Sequence, residues 1–258
     1  METSVTFRTT AGLVVPAVTA DQMREIDRIA VADFGLGILQ MMENAGRNLA
    51  LSVLDMLDSE EAPPQAASGN VGPGRRPDVT ILAGSGGNGG GGLCCARHLH
   101  NRDFRISVLL SKDPQELRGA AVHQLRILRA AGIEPVELVE AEGVLRRSRI
   151  VVDALIGYSL RGAPRGRAAE LIDRCNEHAA RVLSLDLPSG LDATTGDAPG
   201  MVVQPERTLT LALPKTGLRD VQGELYLADI GIPPEVYRAL ELSFEWPSLE
   251  SYCLRLET

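Results

Sequence analysis

The sequence predicts an α/β domain of three-layer, Rossmann-like build: a mostly parallel, doubly wound sheet between helices, with two further helices ahead of it. Three segments predict it. Val79, Ile81 and Leu82 belong to an apolar β-type run that passes straight into residues 84–92, GSGGNGGGG, after which Leu93, Ala96 and Leu99 recur at helical spacing. Residues 151–166, VVDALIGYSLRGAPRG, repeat the step from apolar strand to glycine turn, with Asp153 in the strand and Gly157 and Gly162 in the turn. Residues 183–196, LSLDLPSGLDATTG, make it a third time and place Asp186 at the carboxyl end of its strand. Ligands of an open parallel sheet bind beyond those ends, so Asp186 and the glycine loop are expected to face one crevice. At a helix N-terminus the free N–H groups and the helix dipole favour an anion, and glycine lets a phosphate approach the main chain. A merely tight β-to-α turn is the alternative reading of the loop.

The other elements follow in order. Thr19 and Gln22 have capping-box spacing, and Met23, Ile26 and Ala30 form the apolar stripe of a first helix that stops near Gly35. A second helix is expected over 38–57. Residues 59–77 are rich in proline, glycine and small polar residues and read as a flexible surface insertion, with Arg75 and Arg76 as solvated charges. Helices near 93–102 and 114–131 alternate with strands near 105–110, 135–138 and 150–155, the alternation of a parallel sheet. A helix over 167–178 leads to the strand ending at Asp186. Residues 208–213 and 224–229 read as strands separated by a turn around Lys215 and Gly217. The tail, 240–258, has no clear period and is expected to cap an edge or stay irregular. No repeat and no second domain is visible, so residues 1–258 are expected to form one domain.

The bulk properties narrow the function. A net charge of −8 over 258 residues argues against general attraction to nucleic acid or anionic membranes. Neither a signal peptide nor an apolar run long enough to cross a bilayer is visible. Cys94, Cys95, Cys175 and Cys253 form no CxxC pair and show no ligand-like spacing with His98, His100, His123 or His178. Cys94 and Cys95 read as buried helix residues, and a reducing cytoplasm is the expected compartment.

Seven segments in this order, VTADQMREIDRIA, GILQMMENAGRNLA, GSGGNGGGGLCCARHLH, VVDALIGYSLRG, SLDLPSGLDATTG, RTLTLALPKTGL and YLADIGIP, resemble the NAD(P)H-hydrate epimerase family, also known as the YjeF N-terminal domain. The likeness runs through nearly the whole chain. It implies a domain that is usually a homodimer and interconverts the R and S epimers of hydrated NADH or NADPH. Many members are fused to an ADP- or ATP-dependent dehydratase; this chain is too short for one, so a separate dehydratase is the implied partner. Asp186 is the implied catalytic residue. The implied substrate-binding set is Gly87, Asn88, Gly89, Gly90, Gly91, Gly157, Tyr158, Ser159, Leu160, Arg161, Gly162 and Ala163, together with Asp186. A potassium ion is implied at Asn88, Asp153 and Ser189.

The chemistry suits a carboxylate. The hydroxyl of a hydrated nicotinamide sits on ring carbon 6, beside a nitrogen that stabilises a cation when the hydroxyl departs. An acid must help it leave and a base must guide water back onto the opposite face. Two departures stand out: where the family's loop reads GPGNNGGDG, Gly87 replaces the first asparagine and Gly91 the aspartate. They make a noncatalytic nucleotide-binding or scaffold domain the alternative function. A conventional dehydrogenase ranks last, because the loop lacks GxGxxG order with an acidic residue about twenty positions on.

Overall fold

The computed structural model describes residues 5–59, 77–247 and 251–257. The expected flexible insertion, apart from its ends, and Arg75 and Arg76 lie outside the described residues. The chain opens with a short antiparallel pair, β1 (Thr6–Thr9) and β2 (Val14–Pro16), followed by α1 (Ala20–Ala32) and α2 (Ile38–Asp58). Then come β3 (Asp78–Ala83), α3 (Gly87–His100), β4 (Arg105–Leu110), α4 (Ala120–Ala130), α5 (Ala141–Arg147) and β5 (Ile150–Ala154). The rest is α6 (Gly166–His178), β6 (Val182–Leu185), β7 (Arg207–Leu211), β8 (Glu224–Ala228), α7 (Pro234–Arg238) and β9 (Cys253–Glu257).

The strands form one sheet in the order β2-β1-β9-β8-β7-β6-β5-β3-β4. From β8 to β4 every pairing is parallel. The chain winds from β3 outward to β4, then crosses back to β5 and continues away through β6, β7 and β8. The strand order therefore reverses between β3 and β5, where such sheets open a ligand crevice.

Alternating residues of the central strands feed cores on opposite faces. Val79, Ile81 and Ala83 pack with Leu49 and Val53 of α2, Leu93 and Leu99 of α3, and Leu125 and Leu128 of α4. Leu82, Leu109 and Val151 pack with Val144 and Leu145 of α5 and Leu171 and Ile172 of α6. Burial on both faces explains why these strands read as continuous apolar runs rather than alternating ones. A third cluster joins Met23 and Ile26 of α1 to Leu225, Leu227 and Leu256 at the antiparallel end.

The predicted capping box is present: Thr19 Oγ1 accepts from Gln22 N, and Gln22 Oε1 accepts from Thr19 N at 2.8 Å. Four expectations need correction. The 114–131 helix is broken: a 3-10 turn at Pro114–Glu116 is separated from α4 by Gly119, whose φ of +55° suits glycine. No strand forms at 135–138, because Pro135 has no N–H; a single bond from Val136 N to Val108 O remains beside β4. The tail is not without regular structure, since β9 pairs antiparallel with β8 and β1. Finally, Cys94 and His98 do share a helix face with a third possible ligand, Glu43 of α2. Arg97 already supplies the cation there, donating to Glu43 Oε2 and to Cys94 Sγ at 3.3 Å, while His98 meets Glu43 at 2.8 Å. Burial pushes the Cys94 thiol up to about 12, so it stays protonated and clasps α3 to α2. Cys95 is buried, as expected.

Candidate active site

Beyond Ala83 the glycine segment divides. The helix begins at Gly87, well before the expected Leu93, so only residues 84–86 are loop. A Cβ on Gly89 would lie 1.8 Å from Gly84 O, one on Gly90 2.5 Å from Met42 Cε, and one on Gly92 2.6 Å from Ala154 Cβ. These glycines let α3 lie close against α2 and the ends of β3 and β5. Packing thus overrides the poor helix propensity of glycine. Gly90 N already donates to Gly86 O, so the free N–H groups of the first turn belong to Gly87, Asn88 and Gly89. Gly90, expected to contact substrate, thus has no free N–H to offer, whereas Gly89 offers its N–H. Gly87 and Gly91 differ: a Cβ at Gly87 would meet nothing within 4 Å, and one at Gly91 only Leu185 Cδ2 at 2.8 Å. Both face the cavity described next.

Asp186 follows β6 with a left-handed φ of +68°. Leu187 N donates across it to Leu185 O at 2.9 Å, an i to i+2 bond that makes the turn a γ-turn. The end of β7 turns the same way, with Ala212 at φ +63° and Leu213 N donating to Leu211 O. These two turns aim Asp186 and Lys215 at each other. Lys215 Nζ donates to Asp186 Oδ1 and, at 2.8 Å, to Leu211 O. Lys215 is 1% exposed and Asp186 3%, so the ion pair is buried. The second carboxylate oxygen, Oδ2, accepts from Tyr158 N at 3.1 Å. Gly157 leaves the room: a Cβ there would stand 2.9 Å from Asp186 Oδ2 and 3.2 Å from Asn88 Oδ1.

Asp153, in β5, is fully buried and accepts four hydrogen bonds: from Ser184 Oγ, Ser189 N and Ser189 Oγ, and from Leu155 N. All four donors are neutral, and among the described residues Asp153 has no ion-pair partner. Burial pushes its carboxyl above the usual aspartate range in spite of those bonds. Asn88 Nδ2 donates to Leu185 O at 3.2 Å, which turns Asn88 Oδ1 toward Gly157. An amide oxygen, a hydroxyl and a buried carboxylate with no ion-pair partner among the described residues are oxygen donors of the kind a hard cation takes.

The Asp186–Lys215 pair lines a cavity of about 330 Å³, together with Asp27, Gly87, Asn88, Gly91, Gly157, Tyr158 and Ser159. A second cavity, about 480 Å³, shares Gly87, Asn88, Gly157 and Ser159 and extends over the reversal between β3 and β5 to Arg165 and to the Lys112–Glu116 and Arg167–Asp113 ion pairs. Leu160, Arg161, Gly162 and Ala163 line neither cavity. Ala163 packs instead toward Gly200. Sequence reasoning missed Lys215, which it treated as a turn residue, and did not single out Asp27, a polar residue of the amphipathic α1. The signal for Lys215 was a single lysine directly behind an apolar strand.

Fold and site together define a doubly wound, Rossmann-like domain with a buried acid–base pair at its strand ends. The family model described as "YjeF-related protein N-terminus" matches residues 38–217, and the chain belongs to this family. It is 47% identical to the NAD(P)H-hydrate epimerase of Dehalogenimonas lykanthroporepellens, over 97% of this chain and 96% of that protein. It is 35% identical to the bifunctional NAD(P)H-hydrate repair enzyme Nnr of Salinibacter ruber, over 86% of this chain but only 42% of that protein. A crystal structure of yeast ynu0 (YNL200c) superposes with a TM-score of 0.75 at 23% identity, covering 93% of this chain and all of that one. That likeness concerns the fold. Among the described residues no helix is long and apolar enough to cross a membrane.

Proposed function

We propose that this protein is an NAD(P)H-hydrate epimerase, interconverting the R and S forms of hydrated NADH and NADPH in nicotinamide nucleotide repair. The observation that carries the reading is the buried Asp186–Lys215 pair, which stands in the cavity of a chain with full-length kinship to a protein of that name. Gly87 and Gly91 line the cavity, and a Cβ at either would not meet this pair, which favours an active enzyme over a scaffold.

The pair can lend a proton to a hydroxyl leaving carbon 6 and take one from returning water. Leaving as water rather than hydroxide removes most of the charge separation. Tyr158 N–H and Lys215 fix the carboxylate so that its reach is set before substrate arrives. We assign the nicotinamide half to the smaller cavity. The phosphates fall near the free N–H groups of Gly87, Asn88 and Gly89, and the adenosine half extends toward Lys112 and Arg167.

Potassium belongs to the same reading. Asn88, Asp153 and Ser189 would hold it, with Asp153 as the anion. When bound, the ion supplies positive charge and oxygen coordination that tie the loops after β3, β5 and β6 together. Potassium should then raise the melting temperature above the value in sodium at equal ionic strength, and Asp153→Asn should erase the difference. Identical curves in the two salts refute the ion. We further assign a homodimer and a cytoplasmic setting, which the free cysteines suit.

The deciding experiment follows a single purified hydrate epimer by chromatography. The protein should convert it to an equilibrium mixture faster than buffer does. A pure epimer that persists refutes the function.

A further inference from the structure

Asp27 and the Tyr158 hydroxyl stand in the same cavity and have no part in the chemistry assigned to Asp186 and Lys215. Tyr158 links two carboxyl groups: its backbone N–H donates to Asp186 Oδ2, and its hydroxyl donates to Asp27 Oδ2. Asp27 is therefore held one tyrosine side chain away from Asp186. It comes from α1, whereas Asp186 and Lys215 come from the strand ends. Among the described residues no group donates to Asp27 Oδ1, which leaves that oxygen for something in the cavity. Burial raises the Asp27 carboxyl above its usual range, against the opposing pull of the Tyr158 hydroxyl and the Lys215 charge, so it holds a proton more readily than an exposed aspartate does.

Epimerisation poses a geometric problem that one pair does not solve. The hydroxyl of one epimer lies on one face of the ring and that of the other epimer on the opposite face. A ring held still presents only one face to Asp186 and Lys215. We propose that Asp27, with Tyr158 as its partner, handles the proton on the ring face that Asp186 and Lys215 do not reach, so that the protein works as a two-base epimerase.

This inference rests on the epimerase reading. For one epimer, the bond from carbon 6 to oxygen breaks with its electron pair on oxygen, which takes the Asp27 proton and leaves as water. The ring nitrogen lone pair closes the N1 to C6 double bond. On the other face water attacks carbon 6, the π pair returns to nitrogen, and the proton shed by the water passes to Asp186. Nothing is oxidised or reduced. The two carboxyl groups end with exchanged protonation states, which solvent protons restore. The other epimer follows the same path in reverse.

Two-base action leaves a mark in H₂¹⁸O. The wild-type protein should incorporate label into both epimers as it interconverts them. Asp27→Asn should lower epimerisation at least ~100-fold while one epimer alone keeps exchanging its hydroxyl with retention, within ~10-fold of the wild-type rate. That epimer is the one whose hydroxyl faces Asp186. Tyr158→Phe retains the ring and the backbone N–H on Asp186 and removes only the hydroxyl, so it should show the same asymmetry more weakly. If label exchange of both epimers falls in step with epimerisation in both variants, Asp27 only shapes the cavity and the proposal is overturned. Unchanged epimerisation in Asp27→Asn overturns it equally. A wild-type protein that neither exchanges nor epimerises sinks the epimerase reading itself, a result distinct from lost asymmetry in the variants.

Discussion

Replacing Lys215 by methionine keeps most of the side-chain volume and deletes the charge that Asp186 faces. With Lys215 1% exposed and Asp186 3%, solvent cannot take over the missing contact. Asp186 would keep Tyr158 N–H as its remaining donor among the described residues. Removing one partner of a buried pair costs about 3–5 kcal/mol, because the other charge is left uncompensated. Each kcal/mol lowers the melting temperature of a domain this size by about 2–4 °C, so Lys215→Met should melt roughly 10 °C below wild type. Asp186→Asn should also destabilise, since it strands a buried ammonium against an amide. The double variant should cost less than the two singles together, with a coupling of about 1–3 kcal/mol. Urea unfolding of the four proteins measures this cycle, and each single variant should lose at least about 100-fold in epimerisation. A Lys215→Met cost below about 1 kcal/mol with additive singles would match an exposed ion pair and refute the buried one.

The two kinds of glycine should respond oppositely: Gly89→Ala forces a methyl onto Gly84 O and should cost about 3 kcal/mol or more, whereas Gly87→Ala meets open space and should be neutral or stabilising by up to about 1 kcal/mol. Equal effects in chemical denaturation would contradict this division. Because burial raises the Asp27 carboxyl, its contribution to stability is present below the ordinary aspartate range and is lost as pH rises through its folded value. Asp27→Asn should therefore melt higher than wild type near pH 7, with the gain shrinking toward about pH 4; a deficit at pH 7 that closes on acidification would reverse the sign. Gly91→Asp moves only Leu185 Cδ2 and places a carboxylate in the cavity, so calorimetry should show tighter binding of a nicotinamide dinucleotide; unchanged or weaker affinity refutes that role.

The parallel half of the sheet was legible because its apolar runs are long and end in glycine turns, as at Val79 and Val151. The capping box at Thr19 was equally readable, since its partners are three residues apart. What escaped the sequence depends on distant contacts. Strands β1, β2 and β9 have three to five residues each; β2 pairs with its neighbour β1, and β1 joins the sheet by antiparallel pairing with β9 across the length of the chain. The start of α3 escaped because six glycines in seven positions read as coil until α2 and β5 press against them. At the site, the strand-to-turn pattern placed Asp186 at a strand end, while Asn88, Asp153 and Ser189 were named by the family resemblance alone. Lys215 and Asp27 could not be named, because no local pattern says that a lysine after β7 bends back to Asp186, or that an aspartate of α1 meets the Tyr158 hydroxyl.

The γ-turns explain why the segment ahead of α2, from β1 through α1, belongs to the site. A left-handed backbone is commoner for an aspartate such as Asp186 than for an alanine, and for Ala212 it is strained, at about 1–3 kcal/mol. Ala212 carries no functional group, so its conformation serves to redirect the chain and bring Lys215 inward. The redirected segment is then caught by the N-terminal strand region. Val18 N donates to Pro214 O, Thr216 N donates to Val18 O, and Val18 and Lys215 form a parallel bridge. One turn later in the sequence, the same region begins α1 and delivers Asp27 to Tyr158. The family match, residues 38–217, contains Asp186 and Lys215 but neither the strap that seats Lys215 nor the second carboxyl group. A chain beginning at residue 38 would retain the motif and lose the geometry that makes it an acid–base site.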